Sequence, residues 1–264
     1  MSAPAGTVDI HPSSVVDPHA QVAPGVRVGP FSWVGPDVVL DEGVVLDSHV
    51  RVEGRTRLGA NVHVHAGAVL GGPPQDLKFR PGTPSGLEVG EGTVVRECAT
   101  ANVGTDEGSL TRIGSGCLIM AYAHIAHNVQ VGDRVILANG VQLAGYVTVE
   151  DHAILGGLVP VHQFVRVGCH AMVGGGFRVP QDVAPYIRAG GTSLKPMGLN
   201  LVGLRRRGFS EETIAALRSA YRILFREGLG VDEAVARIRS EVPSLPEVRH
   251  FAEFALSSER GLAR

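Results

Sequence analysis

Three positions spaced by eighteen residues, His127, Gly145 and Gln163, carry groups that suit hydroxyl activation if the fold stacks them. A neutral imidazole is the usual general base near physiological pH. A glycine N–H beside it can stabilise a developing oxyanion. His124 precedes His127 by three residues and His162 adjoins Gln163, which adds two more imidazoles to the set. A metal reading competes with this one, because three imidazoles can hold zinc with an open position, as a hydratase needs. His124 and His127 have a short spacing, but the sequence shows no third ligand. His11, His19, His49, His63, His65, His152, His170 and His250, taken singly, read as solvated corner residues.

Other chemistries find less support. No Gly-x-Ser-x-Gly elbow is present. Of three cysteines, Cys117 falls on an inward position, and Cys169 is more exposed but has no evident partner. An odd, scattered set of three suits a reduced compartment without a disulfide framework. Gly174-Gly175-Gly176 is followed by neither a helical pattern nor a Lys-Ser/Thr pair, so it is not a phosphate loop. Basic residues cluster at Arg205-Arg206-Arg207, with Arg188 and Lys195 upstream. Arginine forks suit phosphate or an acidic partner protein, and a solvated helix face is the plain alternative. A net charge of −2 over 264 residues argues against general nucleic-acid binding.

The elements that must position these groups follow from an internal repeat. Stepping in sixes from Ile10 gives Val16, Val22, Val28, Val34, Leu40, Leu46, Val52, Leu58, Val64 and Leu70, all aliphatic. The residues four further on, from Ser14 to Ala68, are small or β-branched. The pattern resumes at Val89 and Val95, then runs from Ile113 in sixes to Val179. Such a period fits a short strand plus a tight corner, with three hexads closing one triangular coil and coils stacked about 4.8 Å apart. Residues eighteen apart then share one ladder. Glycines following the aliphatics, such as Gly29, Gly59, Gly132 and Gly168, are expected to supply unusual backbone angles.

The expected fold is therefore mainly β: a parallel β-helix of hexapeptide repeats over residues 1–185, with loop insertions near 71–87 and 105–112. Residues 186–208 read as irregular or loosely helical. Ser210 is expected to cap a helix bearing Ile214, Leu217, Tyr221 and Leu224, Asp232 a second, and Pro246 to open a third, making 186–264 a helical cap. The 35 glycines argue against a helix bundle. No run of about 18 apolar residues predicts a transmembrane helix, and Met1 to Pro12 shows no signal-peptide pattern.

The chain resembles the left-handed β-helix acyltransferases, and among them is most similar to the acyl-[acyl-carrier-protein]–UDP-N-acetylglucosamine O-acyltransferases, which open lipid A biosynthesis. The resemblance spans nearly the whole chain. It rests on Gln75-Asp76-Leu77-Lys78, Ala123-His124-Ile125-Ala126-His127, Val161-His162-Gln163-Phe164, Met172-Val173-Gly174-Gly175, Arg206-Arg207-Gly208-Phe209 and Arg260-Gly261-Leu262. It implies a cytoplasmic homotrimer with active sites between subunits, using no cofactor and no metal. His127 would deprotonate the sugar 3-hydroxyl, which attacks the thioester of a (R)-3-hydroxyacyl carrier protein, and the Gly145 N–H would serve the oxyanion. His124, His162 and Gln163 would position substrate. Gln75, Asp76 and Lys78 would line the nucleotide-sugar site, and Asn200, Arg206 and Arg207 would meet the UDP or the carrier protein. Gly175 would set acyl length and leave room for a longer chain.

The sequence also departs from the family pattern. Asn128 stands where an Asp orients the base, Tyr146 where the next coil has a His, and Ser193 and Val202 where His and Glu are common. Thr100 to Thr105 lacks the usual His/Asn-Arg pair. The alternatives are an N-acyltransferase acting on a 3-amino UDP-sugar, a zinc hydratase on the same scaffold, and a non-catalytic solenoid that only binds partners.

Overall fold

The computed structural model describes residues 6–264; the head of the segment scanned for a signal peptide, residues 1–5, lies outside them. Two-residue strands recur at every hexad and stack into three faces. The first face runs from Asp9–Ile10 to Met172–Val173, the second from Val15–Val16 to Pro160–Val161, and the third from Gln21–Val22 to Arg166–Val167. Pairing within these repeats is parallel. An eighteen-residue offset recurs, as in Asp9↔Arg27, His124↔Gln142 and Gln142↔Pro160. The ruler residues form the core: Val34, Leu58, Ile125, Leu137, Leu143 and Leu155 are buried, as are the fourth-after residues Val26, Val62, Val129 and Val147. Each such side chain contributes roughly 1.5–3 kcal/mol relative to an exposed one.

The corners divide the backbone's demands among successive residues. Two positions after each inward aliphatic, the first five hexads carry Pro12, Pro18, Pro24, Pro30 and Pro36. A turn there needs no N–H from that residue; the Asp17 carbonyl, for example, accepts from the Ala20 N–H at 3.0 Å, spanning Pro18. The next residue is left-handed in most coils, and it is often not glycine: Phe31 (φ 60°), Asn61 (φ 57°), Asn128 (φ 61°) and Tyr146 (φ 61°). The glycines expected to supply those angles serve another purpose. At Gly29 and Gly59 a Cβ would come within 2.8 Å of the next coil's backbone, so these glycines permit close stacking.

Both insertions leave from the corner between the second and third faces. The second-face strands Val69–Gly72 and Thr100–Asn102 lead into loops 73–85 and 103–109, which end at third-face strands Gly86–Val89 and Leu110–Ile113. Those third-face strands are longer than the ruler implies. Thr56, Leu87 and Thr111 stack inward in register, and two threonines on inward positions hid the strand from an aliphatic count.

Past the last coil, Ile187–Gly190 and Lys195–Leu199 form a hairpin that extends the first face, where irregular or helical chain was expected. Ile187 and Ala189 alternate inward, and Gly191 (φ 97°) makes the turn. Four helices follow: α1 (Leu201–Arg206), α2 (Glu211–Arg226), α3 (Val231–Glu241) and α4 (Pro246–Leu256). Ser210 caps α2 by accepting from the Thr213 N–H. Gly230, not Asp232, is the cap of α3, and Asp232 lies inside its first turn, where its charge suits the helix dipole. The tail returns to the solenoid: the Asp182 N–H donates to the Gly261 carbonyl, and the Ala263 N–H to that of Asp182. No helix among the described residues is long and apolar enough to cross a membrane.

Candidate functional site

His127 sits on the second–third corner, one coil beyond loop 103–109 and two beyond loop 73–85. The eighteen-residue ladder exists as drawn. The Tyr146 N–H donates to the His127 carbonyl and the Phe164 N–H to that of Gly145, each at 3.2 Å. The imidazole lies directly over Gly145, where a Cβ would stand 2.7 Å from Nε2. Glycine is thus required here by the ring, whatever the chemistry.

The orientation of that ring is set from behind. Asn128 Oδ1 accepts from the Thr105 N–H at 3.0 Å and from Thr105 Oγ1 at 2.8 Å, and lies 3.0 Å from His127 Nδ1. A backbone donor on Oδ1 fixes that atom as the amide oxygen, so Nδ1 carries the ring proton and Nε2 keeps its lone pair. Nε2 has no hydrogen-bond partner among the described residues. The Tyr146 hydroxyl meets Thr105 Oγ1 at 3.0 Å and Asp106 Oδ2 at 3.2 Å, which fastens the second insertion to the same corner.

The backbone N–H groups of His127, Gly145 and Gln163 find no protein acceptor among the described residues. These are the hexad positions that hold proline in the first five hexads, of which Pro18 and Pro36 lie on this same corner. The fold therefore leaves a column of unspent donors on this corner, and only Gly145 offers one without a side chain in front. Pro18 and Pro36, at the same register eighteen residues apart, show in the sequence that this position needs no N–H for the fold.

His124 points outward on the second face, 2.7 Å from Thr100 Oγ1 through Nδ1. Burial first, and the neighbouring His127 second, hold its pKa below the usual histidine value, so it is neutral at pH 7. His162 lies beside the ladder, with Arg260 Nη2 3.2 Å from its Nδ1, and Gln163 is exposed on it. Gln75 and Lys78 are exposed on loop 73–85, and Asp76 turns back to accept from the Lys78 N–H. The root of that loop is tied by buried Asn102, whose amide donates to the Pro73 carbonyl at 3.0 Å. Thr100, Thr105 and Tyr146 belong to this constellation although the spacing argument did not single them out as contributors.

The remaining candidates stand elsewhere on the chain. Asn200 is buried, caps α1 and donates to the His170 carbonyl at 3.0 Å, on the third–first corner. Arg207 Nε donates to His152 Nδ1 at 3.2 Å on that same corner, and Arg206 is exposed. There His170 is pushed down to about 4, by burial first and then by His152 and Arg207. Gly175 is on the first–second corner, stacked against Gly157. A groove of about 890 Å3 runs along the third face past Gln130, Thr148 and Cys169 rather than past His127. One chain thus brings His127, Gly145, Gln163, His124, His162 and the Gln75–Lys78 loop to one edge, and leaves Asn200, Arg206, Arg207 and Gly175 on others.

A solenoid of stacked hexads is the architecture of hexapeptide-repeat proteins. A model of bacterial transferase hexapeptide repeats matches residues 110–145, and one described as UDP-N-acetylglucosamine O-acyltransferase, domain 2, matches residues 182–263. A relative from an Anaeromyxobacter species, named acyl-[acyl-carrier-protein]–UDP-N-acetylglucosamine O-acyltransferase, is 46% identical over 256 residues, covering 97% of this chain and 99% of its own. One of the same name from Thermodesulfovibrio yellowstonii is 47% identical over 210 residues, covering 79% and 81%. The solved UDP-N-acetylglucosamine acyltransferase of Francisella novicida superposes with a TM-score of 0.94 at 36% identity, covering 97% of this chain and 94% of that one. LpxA of Acinetobacter baumannii gives 0.93 at 40% identity, covering 97% and 99%. The chain belongs to the acyl-[acyl-carrier-protein]–UDP-N-acetylglucosamine O-acyltransferase family, and its solenoid is a left-handed parallel β-helix.

Proposed function

We infer that the chain transfers a (R)-3-hydroxyacyl group from acyl carrier protein to the 3-hydroxyl of UDP-N-acetylglucosamine, the first step of lipid A biosynthesis. The observation that carries the mechanism is the His127 ring, held with Nε2 free above the unspent Gly145 N–H. Nε2 takes the proton as the sugar oxygen attacks the thioester carbonyl. The oxygen that becomes negative meets the Gly145 N–H. Collapse expels the carrier thiolate, which recovers the proton from the imidazolium. His124, His162 and Gln163 position the sugar, and Gln75, Asp76 and Lys78 hold the nucleotide.

His127 lies on a corner of the solenoid, where a neighbouring copy can supply a second wall. We read the protein as a cytoplasmic homotrimer in which a neighbour presents Asn200, Arg206 and Arg207 to UDP or the carrier protein. Gly175 opens the acyl groove to a longer chain. In the same reading, the solenoid from Asp9 up to residue 185 is the catalytic domain and 186–264 its cap. Neutral Asn128 favours one further reading, the N-acylation of a 3-amino UDP-sugar, since an amine needs less basic assistance than a hydroxyl. Mass spectrometry of reactions with UDP-N-acetylglucosamine or its 3-amino analogue, and carrier proteins bearing several acyl lengths, tests both readings. Ester formation is expected, and amide formation only with the analogue would replace it. Sedimentation at three times the chain mass is the expected assembly result.

A further inference from the structure

Cys169 has no evident partner along the sequence, but the fold supplies two. It stands on the third–first corner, close to Glu150 of the coil before, and His250 of α4 reaches across to both. One donor atom from each of Glu150, Cys169 and His250 lies within 4.8 Å of the other two. His250 Nε2 is 2.8 Å from Glu150 Oε2, and the Cys169 N–H donates to the same oxygen at 2.8 Å. All three residues line the groove of about 890 Å3, which gives an ion a path from solvent.

We propose that Glu150, Cys169 and His250 form a zinc site that ties the solenoid to helix α4. Thiolate, imidazole and carboxylate are all zinc ligands, and three from the protein leave a fourth tetrahedral position for water. Charge balances: a thiolate, a carboxylate and a neutral imidazole neutralise a divalent ion, and binding releases the thiol and imidazolium protons to solvent. The nearest competing cation pairs only loosely, and with the other carboxylate oxygen. Arg166 Nη2 is 3.7 Å from Glu150 Oε1, but Nη1 donates to the Ser257 carbonyl and hydroxyl, and the guanidinium lies 4.2 Å above the Phe254 ring. That leaves Oε2 on the side of the imidazole.

Asp47, His63 and His65 form a second cluster of close donors. It holds no thiol. Its rings stack at 4.1 Å, and each imidazole already pairs with one oxygen of the Asp47 carboxylate at 3.0 Å. It serves as the internal control.

The test uses the full chain, reduced and stripped with a chelator, titrated with cobalt(II) and then zinc(II). One equivalent of cobalt is expected to give a thiolate-to-metal charge-transfer band and tetrahedral visible bands, all displaced by one equivalent of zinc. Zinc is also expected to raise Tm. Cys169→Ser and His250→Gln should lose the band and the Tm shift, with far-ultraviolet circular dichroism confirming that they fold, while His63→Ala keeps both. Absence of the band in the reduced chain, its survival in Cys169→Ser, or its loss in His63→Ala would each overturn the proposal.

Discussion

Two corners of the solenoid use the same left-handed turn position for opposite ends. On the second–third corner it holds Asn128, Tyr146 and Phe164; on the third–first corner it holds His152, His170 and Tyr186. Both columns stack their rings, Tyr146 on Phe164 at 5.0 Å and His152 on His170 at 4.7 Å. The first column stays open, with Tyr146 39% exposed. The second lies under the cap: Tyr186 is 4% exposed, and Phe209 packs edge-on against His170 at 4.9 Å. Identical backbone geometry thus yields an open edge or a packed seam, according to what covers it. Histidine alone marks neither; His127 is set apart by a neighbour that fixes its tautomer and a glycine that leaves room beneath it.

The comparison breaks most readily at His127 and His170. His127→Ala is expected to lower kcat/KM by about 10²- to 10⁴-fold, the range for a lost general base, with Tm unchanged. His170→Ala should instead lower Tm, by about 1–3 kcal/mol of stability, as a packed ring is removed. A reversal of these two outcomes would dissolve the distinction. Gly145→Ala comes next. Its methyl must push the imidazole off station, so kcat is expected to fall about 10²-fold while binding of the UDP-sugar persists. Unchanged kcat in that variant would mean that the ring's station over residue 145 does not matter to the reaction.

Asn128→Asp sharpens the open corner. A carboxylate at 3.0 Å from Nδ1 favours the imidazolium, so the acidic limb of the kcat/KM profile should move to higher pH. A profile that stays in place would mean that another group sets that limb.

The covered seam has its own pH signature. His170, pushed down to about 4, is neutral in the fold while the unfolded chain takes its proton at about 6.5. Its contribution is present above about pH 6.5 and is lost as pH falls from there toward 4. His250 is pushed up to about 10 by its hydrogen bonds to Cys169 and Glu150. Its contribution is present below about pH 6.5 and is lost as pH rises through 10. Thermal melts across this range should fall off on both sides, with His170→Asn flattening the acid limb and His250→Gln the alkaline one. The smallest effect concerns the turn itself. Ser48→Pro, at the register of Pro30, should cost under about 1 kcal/mol. Gln142→Pro, which removes a strand N–H bonded to the Val159 carbonyl at 3.0 Å, should cost about 3 kcal/mol or more.

What could be read from sequence divides along physical lines. The core was legible because an inward aliphatic every six residues is a local rule, and the ladder of His127, Gly145 and Gln163 followed by counting. The roles of the glycines were misread. Close approach and a positive φ both favour glycine, and only the backbone separates Gly29 from the left-handed Phe31 two residues later. The hairpin at Ile187–Leu199 was missed because the six-residue period ends where its pairing begins. Contacts made across the cap, such as His250 with Glu150, join residues one hundred apart, and no spacing rule reaches that far.

Both insertions share one corner, and this has a consequence for how the protein can change. Across the first, His63 pairs with Val94, a separation of 31 residues where the preceding coil needs 18, as in Val45 with His63. The added closure entropy is only about 0.5 kcal/mol, since it grows with the logarithm of length. The coils above and below keep their register whatever that loop contains. The length of this loop is therefore nearly free to drift as far as the fold is concerned, while one residue added within a hexad would turn every later side chain off its face. Selection can rebuild the surroundings of His127 without reopening the question of the fold.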